Sequence, residues 1–195
     1  MRPPISMNKD WVLDYFNSYL QKMDKNFIES QKSLYKKYKC NELFELDLKS
    51  EIEWILDLIN KTESPVVFCH NDLRQANIMI TESNDEVIFC DFDHSSYGYR
   101  GFDFGYFFCF FFDVNIDSFS KQFIKYYIKE NEEIFGKKYS ENPINSLQYI
   151  LNESKVFVLL AYIYLSIIFF LHNIETNGFP LTAKQGTVYA IPSRF

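Results

Sequence analysis

Three short apolar runs constrain this chain most: Val66-Val67-Phe68-Cys69, Ile78-Met79-Ile80 and Val87-Ile88-Phe89-Cys90, each bounded by polar residues. Runs this short, rich in β-branched and aromatic side chains, predict strands rather than helices. The first reads as a buried strand. The second and third flank the polar stretch from Thr81 to Glu86 and read as a hairpin. Elsewhere the apolar spacing is helical. Trp11, Val12, Tyr15, Phe16, Tyr19, Leu20 and Met23 form one packed face, and residues 46–59 carry a stripe of Leu48, Ile52, Ile55, Leu56 and Ile59. A third helix is predicted over 119–134, and Pro143 opens another helical stretch near Leu147, Tyr149 and Ile150. The pattern specifies an α+β fold, mostly helical, around a small hairpin.

The polar residues at the ends of those strands carry the chemistry. His70-Asn71-Asp72-Leu73-Arg74-Gln75-Ala76-Asn77 follows the first strand, and Asp91-Phe92-Asp93 follows the third. An Asp, an Asn five positions later and a second Asp beyond a hairpin is a layout suited to phosphoryl transfer. That reaction needs a carboxylate to orient the attacking hydroxyl, and oxygen ligands that fix Mg²⁺ against the phosphates of ATP. Asp72 fits the first role; Asn77 and Asp91 fit the second. Asp and Asn are also ordinary turn residues, but the joint spacing is far rarer than either alone.

Composition narrows the partners. A chain of 195 residues with 47% hydrophobic residues holds one real core. A net charge of −6 excludes nucleic acid as a natural partner, since phosphate backbones select basic surfaces. The four cysteines, Cys40, Cys69, Cys90 and Cys109, have no metal-ligand spacing; three of them lie beside apolar runs and read as buried thiols in a reducing cytosol. A cytoplasmic location follows, with no apolar leader near Arg2, Pro3 and Pro4. The 21 Phe and 14 Tyr could form an aromatic cage for a quaternary ammonium, but an accompanying wealth of Lys, Asn and Ile points to a compositional bias. Four Lys within 32–39 read as a solvated helix face. The apolar stretch 156–171 is shorter than the roughly 20 residues of a spanning helix and reads as a buried central helix rather than a membrane anchor.

Ser64-Pro65-Val66-Val67-Phe68-Cys69-His70-Asn71-Asp72 and Asp91-Phe92-Asp93-His94-Ser95-Ser96-Tyr97-Gly98-Tyr99-Arg100-Gly101-Phe102-Asp103 resemble the choline/ethanolamine kinase family, leaning toward its choline kinase branch. Other small-molecule kinases, aminoglycoside phosphotransferases among them, share the His-x-Asp and the later Asp without this continuation. The resemblance extends upstream to residues 4–9 and thins after Phe112. It implies a protein-kinase-like (aminoglycoside phosphotransferase-type) fold in which 1–63 is a helical lead-in, 64–112 holds the catalytic and metal loops, and 113–195 is a helical substrate side. It implies ATP and Mg²⁺ as cofactors, choline or ethanolamine as substrate, Asp72 as the catalytic carboxylate, and Asn77 and Asp91 as metal ligands, with Asp91 also on the nucleotide side. Asp103 becomes a buried acid supporting the loop, and His70 a loop-orienting donor.

Departures from the family pattern alter the pocket. Arg74 replaces a Gln that touches nucleotide in relatives, and a guanidinium can also meet phosphate. Asp93 stands where Glu is common on the substrate side. After Gly105 the family continues Asn-His-Phe-Cys-Glu-Trp, whereas this chain has Tyr106-Phe107-Phe108-Cys109-Phe110-Phe111, putting Phe110 in place of a Glu that frames the cationic head. In the 156–171 stretch Tyr162 takes the position of one pocket tryptophan and Leu165 that of another. No glycine precedes Gly98, so neither a Gly-rich phosphate-covering loop nor its Lys is in evidence. The expectation is a C-terminal lobe without its N-terminal lobe, from a truncated gene model, a splice form or a decayed copy, unable by itself to turn over choline. The alternatives are a related kinase with another cationic hydroxyl substrate, or a silent lobe that persists as a binding partner or homodimer.

Overall fold

The computed structural model describes residues 47–81, 86–111 and 116–171, together with Asp14, Phe16, Ser18, Gln21 and Glu29. Most of the predicted 11–23 face, the Lys-rich 32–39 stretch, Cys40, the centre of the hairpin turn and the tail from Gly178 lie outside the described residues. Two compact units separate: one runs from Leu58 to Ala161, and the other combines the described residues up to Asp57 with those from Tyr162 on. In the second unit Phe16, Ile52, Ile55 and Ile163 are buried, and Phe16 meets the ring of Tyr164 edge-on at 6.4 Å.

Helix α1 spans Leu48–Thr62 and starts two residues later than the 46–59 range read from the sequence. The reason is a cap. Asp47 accepts from Ser50 N at 3.2 Å and from Ser50 Oγ at 2.7 Å, satisfying the first turn. The Ser50 hydroxyl and amide hold its carboxyl below the ordinary value. Glu63 follows with φ 48°, the left-handed exit in which glycine is usual.

Strand β1, Val66–Cys69, turns into the polar loop, and the hairpin follows as β2, Ile78–Ile80, and β3, Val87–Phe89. The pair is antiparallel, with Ile78 opposite Phe89 and Ile80 opposite Val87. A fourth strand that the apolar pattern did not signal, β4 at Ser96–Tyr99, pairs antiparallel with β1, placing Cys69 opposite Ser96. The prediction of a buried β1 needs correction. Cys69 is buried, but Val66 and Phe68 stand exposed, because among the described residues no second layer covers that face. Burial pushes the Cys69 and Cys109 thiols far up; Cys90 is half-buried, and all three are free.

Helix α2, Arg100–Phe108, leaves β4 directly, followed by α3, Ile116–Phe135, the short α4, Lys138–Glu141, and α5, Leu147–Leu171. Phe104, Phe107 and Phe108 pack with Ile124 and Ile150 into the core of the first unit, with Phe119 and Phe123 interleaved. Aromatic edges pack among aliphatic branches there: the Phe104 and Tyr127 rings meet at 4.9 Å and 89°. Two glycines let α2 and α5 approach. A methyl at Gly101 would overlap the Phe157 ring, and one at Gly105 would overlap the Phe157 backbone. The segment 156–171 proves to be the later part of a 25-residue helix, and none of residues 156–165 is exposed. No described helix is long and apolar enough to cross a membrane.

A buried ion pair fastens the start of α2. Arg100 donates from Nη2 and Nε to Glu153 Oε2 at 2.6 and 3.2 Å, from Nη1 to Asn145 Oδ1 at 2.7 Å, and from Nη2 to the Ile144 carbonyl at 2.8 Å. Ser64 Oγ donates to the other Glu153 oxygen and accepts from Gly101 N at 3.3 Å. Desolvating two such charges is unfavourable unless hydrogen bonds fill their remaining positions. Here they do, and the residues leading into β1, α2, α5 and the Pro143–Asn145 turn are tied at one point.

Candidate active site

The seating of α2 determines where its first turn points. Asp103 accepts from His70 N at 2.7 Å with one carboxylate oxygen and from Asn71 N at 2.8 Å with the other. Burial pushes the Asp103 carboxyl above its ordinary value, against the pull of those two amides and of His70. Asn71 holds φ 62° and donates from Nδ2 to the His94 carbonyl at 3.0 Å and to Ser96 Oγ at 2.8 Å. Asparagine tolerates that left-handed backbone better than most residues. The His70 ring donates from Nε2 to the Cys90 carbonyl at 2.9 Å, which leaves Nδ1 to accept from Asp72 N at 3.3 Å. One histidine thus ties the loop to the far end of the hairpin.

Asp72 emerges from this loop with its carboxylate surrounded by donors. Asn77 Nδ2 reaches Oδ2 at 2.8 Å and the Asp72 carbonyl at 2.8 Å; Arg74 Nε reaches Oδ2 at 3.2 Å; the Tyr106 hydroxyl reaches Oδ1 at 3.0 Å. Asn77 is buried, closes a turn through its N–H to the Arg74 carbonyl at 2.9 Å, and accepts at its own carbonyl from Cys90 N at 3.0 Å. Its amide orientation is thereby fixed. The nitrogen is committed to Asp72, and Oδ1 accepts no hydrogen bond from a described residue. Asp91 comes directly after Cys90, with φ 65° and ψ 60°, and opens the Phe92–His94 turn. Its carboxylate is exposed and makes no hydrogen bond or ion pair among the described residues.

The structure therefore gathers Asp72, Arg74, Asn77, His70 and Asp103 into one hydrogen-bonded constellation and brings the Asp91 backbone to its edge through Cys90. Asp93 lies exposed in the following turn without a described partner. Tyr162 belongs to the second unit, half-buried on α5. Arg74, expected on the nucleotide side, directs its Nε to Asp72. Sequence reasoning missed Tyr106 as a member of the site. A signal was present: Tyr106 lies three residues after Asp103 on α2, one helical turn on the same face. Among the described residues no group of three His, Cys, Asp or Glu side chains could hold a metal by itself. Asn77 Oδ1 and the Asp91 carboxylate are oxygen donors without a described hydrogen bond, the chemical type that Mg²⁺ takes when it completes its shell with water and phosphate.

Strand-loop-hairpin-strand feeding a helical body defines the protein-kinase-like class. The structure of Plasmodium vivax ethanolamine kinase shares this fold, with a TM-score of 0.59 and 22% identity over 98% of this chain and 50% of that one. The family model described as choline/ethanolamine kinase matches residues 1–183, and the chain belongs to that family of ATP-using phosphotransferases. Rattus norvegicus choline/ethanolamine kinase is 48% identical over 65 residues, 32% of this chain and 16% of that protein. Mus musculus choline kinase alpha is 32% identical over 114 residues, covering 56% and 24%. Mus musculus ethanolamine kinase 2 is 34% identical over 90 residues, covering 42% and 23%. The chain thus spans about half the solved relative and aligns with less than a quarter of each of these curated ones.

Proposed function

We propose that this chain carries the acceptor-activating part of a kinase that transfers the γ-phosphoryl group of ATP to the hydroxyl of choline or ethanolamine. In cells this is a cytoplasmic step toward phosphatidylcholine or phosphatidylethanolamine. The observation that carries the proposal is the Asp72 carboxylate, held by Asn77, Arg74 and Tyr106 at the end of a loop that Asp103 fixes from behind. Asp72 accepts the proton of the acceptor hydroxyl as the oxygen's electron pair forms the new bond to phosphorus. The bond from phosphorus to the bridging oxygen breaks, and its pair leaves on ADP. Asn77 and Asp91 would hold Mg²⁺, which when bound offsets phosphate charge. Asp93 stays on the acceptor side in this reading, and Arg74 moves toward phosphate when nucleotide is present.

A second reading draws on one sequence fact: no glycine precedes Gly98, so a Gly-rich phosphate cover would come from outside these residues. The chain would then bind acceptor and metal while gripping nucleotide weakly. Both readings meet in one assay. Residues 1–195 are incubated with ATP, Mg²⁺ and either amino-alcohol, and ADP and phospho-amino-alcohol are measured for wild type, Asp72→Ala and Asp91→Ala. Acceptor-dependent turnover lost in both variants supports the first reading. Undiminished turnover in Asp72→Ala would refute it. A silent wild type that binds Mn²⁺–ADP through Asp91 favours the second.

A further inference from the structure

Asp72 has two carboxylate oxygens and about four acceptor positions. Oδ2 is filled, by Asn77 Nδ2 at 2.8 Å and Arg74 Nε at 3.2 Å. Oδ1 receives one donor, the Tyr106 hydroxyl at 3.0 Å. One position is left, on Oδ1, for an incoming hydroxyl. We propose that Tyr106 is the positioning residue that aims the catalytic carboxylate: its phenol takes one side of Oδ1 and confines the acceptor hydroxyl to the other. This rests on the reading of Asp72 as the proton acceptor.

The phenol is suited to the task by its rigidity. Tyr106 is 5% exposed, its ring stacks on Phe102 at 5.7 Å and 20°, and the Phe110 ring meets it at 5.2 Å and 79°. Between those rings the hydroxyl has little freedom to follow the carboxylate. The helix beneath is equally constrained, since Gly105 leaves no room between α2 and the Phe157 backbone. Arg74 contrasts with it: a long side chain, more exposed than Asp72 and attached to the loop itself, it can let go when a phosphate competes. Tyr106 alone among the three donors comes from outside the 72–77 loop, so it ties the direction of the carboxylate to the helical body. A carboxylate free to rotate would present either oxygen, and small misplacements of a reacting group weaken catalysis strongly.

The test is Tyr106→Phe, which keeps the ring and its stacking and removes the hydroxyl. If wild type turns over, the variant should lose roughly 10-fold in kcat, with KM for ATP and acceptor held within about twofold, because the lost contact acts on the transition state rather than on binding. A kcat within about twofold of wild type would overturn the proposal. A second measurement needs no turnover: urea midpoints of wild type, Tyr106→Phe, Asp72→Ala and the double variant form a cycle. If wild type is silent with both amino-alcohols, turnover by this chain alone is ruled out and the cycle decides. A midpoint shift from Tyr106→Phe that disappears in the Asp72→Ala background supports the aiming contact; equal shifts in both backgrounds overturn it.

Discussion

The loop at residues 70–77 and the hairpin that follows it are neighbours built on opposite principles. In the loop nearly every polar group is assigned: Asp103 takes two backbone amides, His70 spans to Cys90, and Asn77 is buried with both its amide nitrogen and its backbone engaged. In the hairpin, Met79, Ile80, Val87, Ile88 and Phe89 all stand exposed, and the Asp91 carboxylate makes no hydrogen bond or ion pair among the described residues. In the proposed function Asp72 is aimed before reaction, and a carboxylate held by the folded body requires no reorganisation at the moment of transfer. In the proposed function Asp91 meets an ion and its phosphates, and its strand end leaves those ligands to complete its surroundings. The comparison teaches that rigidity in this site is local to the carboxylate.

The contrast is broken or sharpened most strongly at Asp91. Asp91→Ala should lower turnover at least as far as the ~10²–10⁴-fold expected for Asp72→Ala, yet change the unfolding free energy by no more than about 1 kcal/mol. Steady-state kinetics and urea titration of the same preparation check both halves; a large loss of stability would place Asp91 in the scaffold. Glu153→Leu should do the reverse. It strands the Arg100 guanidinium in the interior and should destabilise by about 3–5 kcal/mol, read from the urea midpoint, while Arg100→Met with Glu153→Leu should regain most of that.

A smaller effect is expected at Asp103, where burial raises the folded value above 3.8. The folded state then binds the proton more tightly than the unfolded chain. Its contribution is fully present below 3.8, is lost as pH rises through the raised value, and is flat above it, with a slope of at most about 1.4 kcal/mol per pH unit. Asp103→Asn removes that slope, so the stability gap between wild type and variant should narrow as pH rises; a widening gap would reverse the assignment. The smallest change belongs to the hairpin surface. Ile80, 67% exposed, should tolerate Thr within about 0.5 kcal/mol by the same titration, and a loss above 2 kcal/mol would mean that its face is covered.

What the sequence disclosed was whatever could be decided within a dozen residues. The strand runs at 66–69, 78–80 and 87–89 appear where apolar residues meet polar ones, and the spacing of Asp72, Asn77 and Asp91 needs only the hairpin between them. The stripe of Ile52, Ile55 and Ile59 is buried as its periodicity predicts. Contacts between distant segments were not legible. Tyr106 reaches Asp72 across 34 positions, and Arg100 meets Glu153 across 53. Nothing local marks Glu153 as fully buried; a glutamate ahead of an apolar helical run looks like a surface residue until its cation is known. Val66 and Phe68 mislead for a related reason: an apolar run announces a strand, but whether another layer covers it is a property of the rest of the fold.

The left-handed backbone of Asp91 has a consequence for how this site can change over time. At φ 65° and ψ 60° a side chain with a Cβ is held at a steric disadvantage that glycine does not share. Replacing Asp91 by Gly would relax the peptide and delete the carboxylate in one step. With Asp91 as the proposed metal ligand, folding and chemistry favour different amino acids at this single position, a local instance of the trade-off between stability and activity. On that proposal, drift toward glycine would leave a hardier protein that no longer reacts.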